Sequence, residues 1–218
     1  MRINAYIAKN TGLSRRKVDE LISKGKILVD ETKATIGQDV NSDNKILVNG
    51  QPLNNNDSTT TILLNKPIGY VVSREGQGSK TIYDLIPDHL QKLKPIGRLD
   101  KNTSGLLLMT DDGKLANTLM HPSYKKIKKY KAVLDRPIEQ TDVTKINNGI
   151  ILEDGLSKLK ISPASNDQKT LTIEMSEGKN RQIRRTFKAI GYEVKKLHRT
   201  QFGDYYLSNI DTGKWKYI

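Results

Sequence analysis

The 218-residue chain contains no cysteine, which excludes disulfide staples, thiolate metal sites and a thiol nucleophile. The lack fits a reducing compartment, and the cytoplasm is the expected location. Only three histidines are present, too few for an imidazole-rich centre, so no metal is expected. Aromatic residues make up 6% of the chain, with two phenylalanines and one tryptophan. No apolar run approaches the roughly 18 residues that a membrane-spanning helix needs. The opening residues, MRINAYIAKNTG, hold no apolar stretch of the signal-peptide kind. No membrane partner is expected.

What the chain has in excess is positive charge. Thirty-seven Lys and Arg face 24 Asp and Glu, a net charge of +13. Such an imbalance points to a polyanionic partner, because each neutralised phosphate releases bound counterions. Nucleic acid ranks ahead of a lipid surface, since no basic amphipathic helix with large apolar anchors is present. The charge is unevenly placed: residues 1–57 carry a net +2, whereas residues 179–199 alone carry +7. A second cluster comprises Lys125, Lys126, Lys128, Lys129 and Lys131. The polyanion is therefore expected across the larger, C-terminal part.

The pattern along the chain suggests two units, residues 1–57 and 58–218. In the first, Ile3 and Ile7 suggest a short helix. Ser14 reads as the N-cap of a second, with Val18, Leu21 and Ile22 at helical spacing and Gly25 as its stop. Short apolar runs at 27–29 and 46–48 read as strands, broken by the turn residues DETK and NSDNK. NNNDSTTT, residues 54–61, reads as a linker. Beyond it, ILLNKPIGYVVS predicts a strand, a Pro-Gly turn and another strand. Further strands are expected at 106–110, 130–134, 150–152, 159–161, 170–175 and 193–197, and helices at 114–120, 140–147 and 181–190. Strands outnumber helices without regular alternation, so the expected class is α+β with a mixed, mainly antiparallel sheet.

Two segments carry the chemistry. In PIGRLDKNTSGLLLMTDDG, residues 95–113, a loop bearing Arg98, Asp100 and Thr103 leads into an apolar strand. A carboxylate on a loop beside a rigid strand suits catalysis, although a turn or cap role is commoner for such an Asp. In EGKNRQIRRTFKAIGYEVKKLHRT, residues 177–200, Ile183, Phe187 and Ile190 share one helical face while Arg181, Arg184, Arg185 and Lys188 occupy the rest. A solvated basic face is the ordinary reading; cations near helix-start amides also suit phosphates. Tyr130, set among lysines, could present its ring to a base.

GRLDKNTSGLL, the KKY of residues 128–130 and GKNRQIRR followed by KKLHR closely resemble the RsuA/RluB/RluE/RluF family of bacterial ribosomal RNA pseudouridine synthases. SRRKVDELISKGKILVD, residues 14–30, resembles the S4 RNA-binding domain that these enzymes carry. The resemblance implies a pseudouridine synthase fold behind a small S4-like module, and an isomerase acting on uridine in ribosomal RNA, with a lean to the large subunit. It implies Asp100 as nucleophile, Tyr130 against the target base and in proton removal, Arg184 paired with the Asp, and Leu197 lining the uracil pocket. Arg98 and Thr103 belong to the nucleophile's loop, and Arg181 and Arg185 suit RNA phosphates. Ser14, Arg15, Arg16 and Lys17 would grip RNA from the front module, and Lys125, Lys126 and Lys128 from the larger one. The usual Asn-Gly turn after the first S4 strand is replaced by Asp30-Glu31-Thr32.

Isomerising uridine involves no redox step, hydrolysis or group transfer, so no cofactor is implied. The implied partner is ribosomal RNA or a ribosomal subunit assembly intermediate, met by a monomer. The competing reading is a catalytically silent S4-containing RNA-binding or ribosome-assembly factor.

Overall fold

Residues 1–54 and 58–218 are described by a computed structural model. The expected boundary at residue 57, and the middle of the expected linker, lie outside the described residues.

The front of the chain folds as its spacing predicts. Helix α1 (Ile3–Thr11) buries Ile3 and Ile7. Helix α2 (Arg15–Ser23) starts where the Ser14 hydroxyl accepts the Lys17 N–H at 3.1 Å, and it buries Val18 and Ile22. It ends at Gly25, whose φ of 64° is the left-handed conformation that a stop requires. Four short strands, β1 (Ile27–Val29), β2 (Thr32–Lys33), β3 (Ile46–Val48) and β4 (Gln51–Pro52), form a sheet in the order β2-β1-β3-β4. The β1–β2 turn places both Asp30 and Glu31 at positive φ, 47° and 68°. The Asp30 carboxylate accepts from Asn44 Nδ2 at 2.7 Å and the Lys45 N–H at 2.8 Å, and these bonds hold its pKa below the usual range. The helices and sheet enclose an apolar cluster of their own.

The remainder is built on one large sheet. Its strands are β5 (Thr61–Lys66), β6 (Lys94–Pro95), β7 (Ser104–Thr110), β8 (Lys128–Leu134), β11 (Lys160–Pro163), β12 (Thr170–Met175), β13 (Val194–Phe202), β14 (Tyr205–Tyr206) and β15 (Trp215–Tyr217), while β9 (Ile150–Leu152) and β10 (Gly155–Ser157) make a separate hairpin. The main order is β11-β12-β8-β13-β7-β5-β15, with β6 on β7 and β14 on β13. Only β7 and β13 run parallel among the described pairs. The sheet is thus mixed and mainly antiparallel, and the class is α+β.

Leu106, Leu107, Leu108 and Met109 form an unbroken apolar run because the sheet is covered on both faces. Leu107 and Met109 join the main core with α4 (Gln140–Asn148) and α5 (Gln182–Ala189). Leu106 and Leu108 face the other way, against Leu119 of α3 (Gly113–Met120) and Phe202.

Three expectations are corrected. After the Pro-Gly turn there is a single bridge, Val71 to Thr81, where a second strand was expected, because the chain bends once Val71 has exchanged hydrogen bonds with Lys80 and Ile82. The strand expected at 159–161 lies at 160–163, where it pairs with β12. The strand expected at 193–197 continues to Phe202. Polar residues break the apolar pattern there, yet the strand continues because His198 meets Ser104 Oγ at 2.9 Å and Arg199 Nε donates to Leu106 O at 2.8 Å.

Candidate active site

The Asp100 loop is shaped from below. Lys66 ends β5 as a fully buried side chain, and its Nζ donates to Pro67 O at 2.9 Å, Asp100 O at 3.2 Å and Thr103 O at 2.8 Å. Burial lowers its pKa to about 8, against the opposing pull of the Asp100 charge. The Thr103 N–H closes the turn on Asp100 O at 3.0 Å. The turn feeds β7 at Gly105, whose φ is 106° and whose missing Cβ would sit 2.2 Å from Arg199 O. Only glycine lets the parallel strands approach so closely.

Above this support lies a cleft of about 820 Å³. Arg98, Asp100, Thr103, Tyr130, Arg181, Arg184 and Leu197 all line it, as do Lys125 and Lys128. Residues more than 60 positions apart converge because β8, β13 and β7 are neighbours in the sheet. Tyr130 and Leu197 are nearly buried, at 8% and 6% exposure, and make an apolar wall. The Asp100 side chain keeps 35% of its surface exposed, so a ligand can reach it.

The cation on Asp100 is not the expected one. Arg181 Nη1 stands 3.8 Å from Asp100 Oδ2. Arg184 instead donates from Nη1 to Val194 O at 2.5 Å and from Nη2 to Asn102 O at 2.8 Å, tying α5 to β13 and to the Asp100 loop. Burial lowers its pKa, as does Arg181 nearby, while the Asp100 charge raises it. It lies within Coulombic reach of the carboxylate without forming the ion pair. The reason is local. Arg181 enters α5 in left-handed conformation, φ 45° and ψ 32°, so the helix begins one residue later than expected and Arg181 turns toward the loop.

Other expected residues lie elsewhere. Arg185 makes a bidentate pair with Asp154, at 2.9 and 2.6 Å, away from the cleft lining. Lys126 pairs with Asp204 at 3.4 Å and does not line the cleft either. Ser14, Arg15, Arg16 and Lys17 are exposed on the front module, outside the cleft lining. Arg15 Nε bonds Asn4 at 3.1 Å and Lys17 pairs with Glu20 at 2.9 Å, where two lysines bring the Glu20 pKa down to about 2.

Lys66, Arg199 and Phe202 escaped sequence reasoning. A lysine ending the apolar run ILLNK was the available signal for the first, since its neighbours are buried on both faces. The buried side of α5 is also broader than Ile183 and Phe187 imply. Gln182 Nε2 donates to Ser157 Oγ at 3.0 Å, which bonds Thr186 Oγ1 at 2.8 Å, so a closed polar network joins α5 to the β9–β10 hairpin. Three buried polar atoms of cleft-lining residues, Thr103 Oγ1, Arg184 Nε and Arg199 Nη2, have no partner among the described residues.

A basic cleft that sets the accessible Asp100 carboxylate beside an arginine, with a tyrosine in its wall, suits covalent work on a polyanion. The comparisons agree. The family model described as RNA pseudouridylate synthase matches residues 60–189. A protein of Bacillus subtilis (strain 168) named ribosomal large subunit pseudouridine synthase B is 38% identical, over 97% of this chain and 89% of its own length. An uncharacterized RNA pseudouridine synthase of Aquifex aeolicus is 36% identical, over 99% of this chain and 89% of its own. The dual-specificity RNA pseudouridine synthase RluF of Escherichia coli K12 is 34% identical, over 99% of this chain and 74% of its own. The crystal structure of a pseudouridylate synthase superposes with a TM-score of 0.72 at 28% identity, covering all of this chain and 96% of the other. On this sequence and structural evidence, the chain belongs to the RNA pseudouridine synthase family and is an isomerase of that kind.

Proposed function

We propose that this enzyme acts on a uridine of ribosomal RNA, with large-subunit RNA as the first candidate, and that Asp100 is its nucleophile. The observation that carries the proposal is the accessible Asp100 carboxylate, 3.8 Å from Arg181, in a cleft walled by Tyr130 and Leu197. The names of the Bacillus relative and of the other similar synthases support the substrate class.

The target nucleotide leaves its stack, at a cost of a few kcal/mol, and enters the cleft. As the N1–C1′ bond breaks, the carboxylate is a competent partner for C1′ and keeps the detached uracil from escaping. Arg181 stands beside the carboxylate, and Arg184 holds the loop that carries it. The uracil turns against the Tyr130–Leu197 wall, C5 joins C1′ as the carboxylate departs with its electron pair, C5 gives up its proton and N1 takes one up. Tyr130 is the candidate for proton removal. Arg98, Thr103, Lys125 and Lys128 serve the loop and the RNA backbone.

Residues 1–57 act as an S4-like docking module, with exposed Arg15 and Arg16 toward phosphates. Its separate apolar cluster supports treating it as a unit. Because the cleft is complete within one chain, a monomer suffices. The test incubates the enzyme with transcripts of small- and large-subunit ribosomal RNA, with assembled subunits, with assembly intermediates and with transfer RNA, and then maps pseudouridine. Wild type should form product at one site and Asp100→Asn none. Undiminished product from Asp100→Asn overturns the nucleophile, and product only on transfer RNA overturns the substrate.

A further inference from the structure

Several cations around the cleft are already engaged within the protein: Arg184 with backbone carbonyls, Arg185 with Asp154, and Lys179 with Asp154 O and Leu156 O at 3.0 and 2.9 Å. Lys128 and Arg199 are different. They come from the adjacent strands β8 and β13, both line the cleft, and they stand 5.4 and 4.9 Å from the centroid of one ring, that of Phe202. Arg199 is 2% exposed, and its Nη2 has no partner among the described residues. Lys128 Nζ reaches only carbonyl oxygens, of Lys126, Ser176 and Glu177, at long distances of 3.5, 3.5 and 3.3 Å. The carboxylate acting on Lys128 is that of Glu177, whose Oε1 already accepts from the Lys158 N–H at 3.1 Å and Gln182 Nε2 at 2.5 Å.

One half-buried and one nearly fully buried cation are therefore held against the same ring with little to balance them. Burial lowers the Lys128 pKa, and so does repulsion from Arg199. Uncompensated buried charge is costly, and the π-face of Phe202 offsets only part of it. A single anion lying between the two would relieve both.

We propose that Lys128 and Arg199 form a subsite for one backbone phosphate of the RNA strand, next to the nucleotide that enters the cleft. The proposal rests on RNA as substrate and deepens that reading. It makes Lys128 one half of a two-cation clamp and gives Arg199 a ligand. A shared phosphate sets an anchor on the strand at a constant distance from Asp100, which fixes the nucleotide presented to the carboxylate.

The experiment measures binding of a fluorescein-labelled oligouridine by anisotropy over a salt series, for wild type, Lys128→Gln, Arg199→Gln and the double variant. Each single variant should bind about tenfold more weakly and lose about 0.7 from the salt slope, the share of one single-strand phosphate. The double variant should keep the slope of the singles. A loss of about 1.4 in the double variant means two separate phosphates and overturns the shared site. Unchanged affinity in both singles overturns phosphate binding altogether. Should Arg199→Gln fail to fold by thermal melting, Lys128→Gln carries the test, with methylphosphonate replacing each linkage of the oligomer in turn. One neutral linkage must then weaken wild type and leave the variant unaffected, and equal weakening of both at every linkage overturns the subsite. Asp100→Asn separates the two claims, since it should lose product while retaining RNA affinity.

Discussion

Arg181 reaches the Asp100 carboxylate at 3.8 Å from a left-handed backbone, φ 45°, at the entrance to α5. A non-glycine residue held there costs on the order of 1 kcal/mol, and such strain concentrates at functional sites. Arg184, one turn along, spends its guanidinium on the carbonyls of Val194 and Asn102. The two arginines thus divide the work: one faces the carboxylate and the other holds its loop.

Kinetics should separate them. Arg181→Ala is expected to lower kcat by about 10²-fold, the scale of a lost charge-stabilising donor, with little change in Tm. Arg184→Ala should also lower Tm, since two carbonyls lose their donor at about 1–3 kcal/mol. Steady-state assays and thermal unfolding check the split, and the reverse pattern would reassign the roles.

Lys66 should influence both activity and stability. Lys66→Met removes the donor shared by Pro67 O, Asp100 O and Thr103 O, so a loss of about 1–3 kcal/mol and of most activity is expected. The sign of the pH effect follows from a folded pKa of about 8 against 10.5. Below pH 8 both states carry the proton, and the cost of the buried charge is fully present. Between these values the unfolded chain alone keeps it, so this group's contribution to stability rises with pH. Denaturant melts across that window should show the rise in wild type and lose it in Lys66→Met.

Gly105→Ala should be severe. Its Cβ would lie 2.2 Å from Arg199 O and 2.6 Å from Arg199 N, at a φ of 106°. Separation of β7 from β13 would displace the Asp100 loop and Leu197 together. A loss of about 3 kcal/mol or more, or failure to fold, is expected by circular dichroism. A well-folded, active Gly105→Ala would mean that the parallel pair has slack.

Glu31→Gly should be stabilising. Glu31 is exposed at φ 68° in the β1–β2 turn, where glycine is free of the Cβ penalty. A gain of about 0.5–1 kcal/mol is expected by denaturant unfolding, with pseudouridine formation unchanged. A loss of stability would show that the glutamate makes contacts worth more than its strain.

Lys125 and Lys126 should differ despite their adjacency. Lys125 lines the cleft, whereas Lys126 is paired with Asp204. Lys125→Ser should weaken RNA binding and flatten its salt dependence by about 0.7, and Lys126→Ser should do neither. Equal effects in anisotropy titrations would place the RNA path on the Asp204 side as well.

Local chemistry was enough to reveal much of this in the sequence. Ser14 and Gly25 bound α2 because a cap and a stop act within one turn, and 106–109 reads as a strand because four apolar residues in a row suit a sheet covered on both faces. The motifs around Asp100, Tyr130 and Arg184 were legible for the same reason, each being a short run with its own residue types. Pairing across the chain was not legible. Which arginine meets Asp100 depends on where α5 begins and which way a left-handed residue points its side chain. That Lys66 supports the loop, that Arg185 is engaged by Asp154, and that Arg199 joins Lys128 at Phe202 depend on strand order and on a parallel contact that only glycine permits. Composition and spacing determined the class of fold and pointed to a polyanionic partner, and the resemblance of short motifs to a known family implied the residues for the chemistry. Tertiary structure decided which of them share the cleft, because charges and hydrogen-bond donors find partners by distance in space, and separation along the chain does not encode that distance.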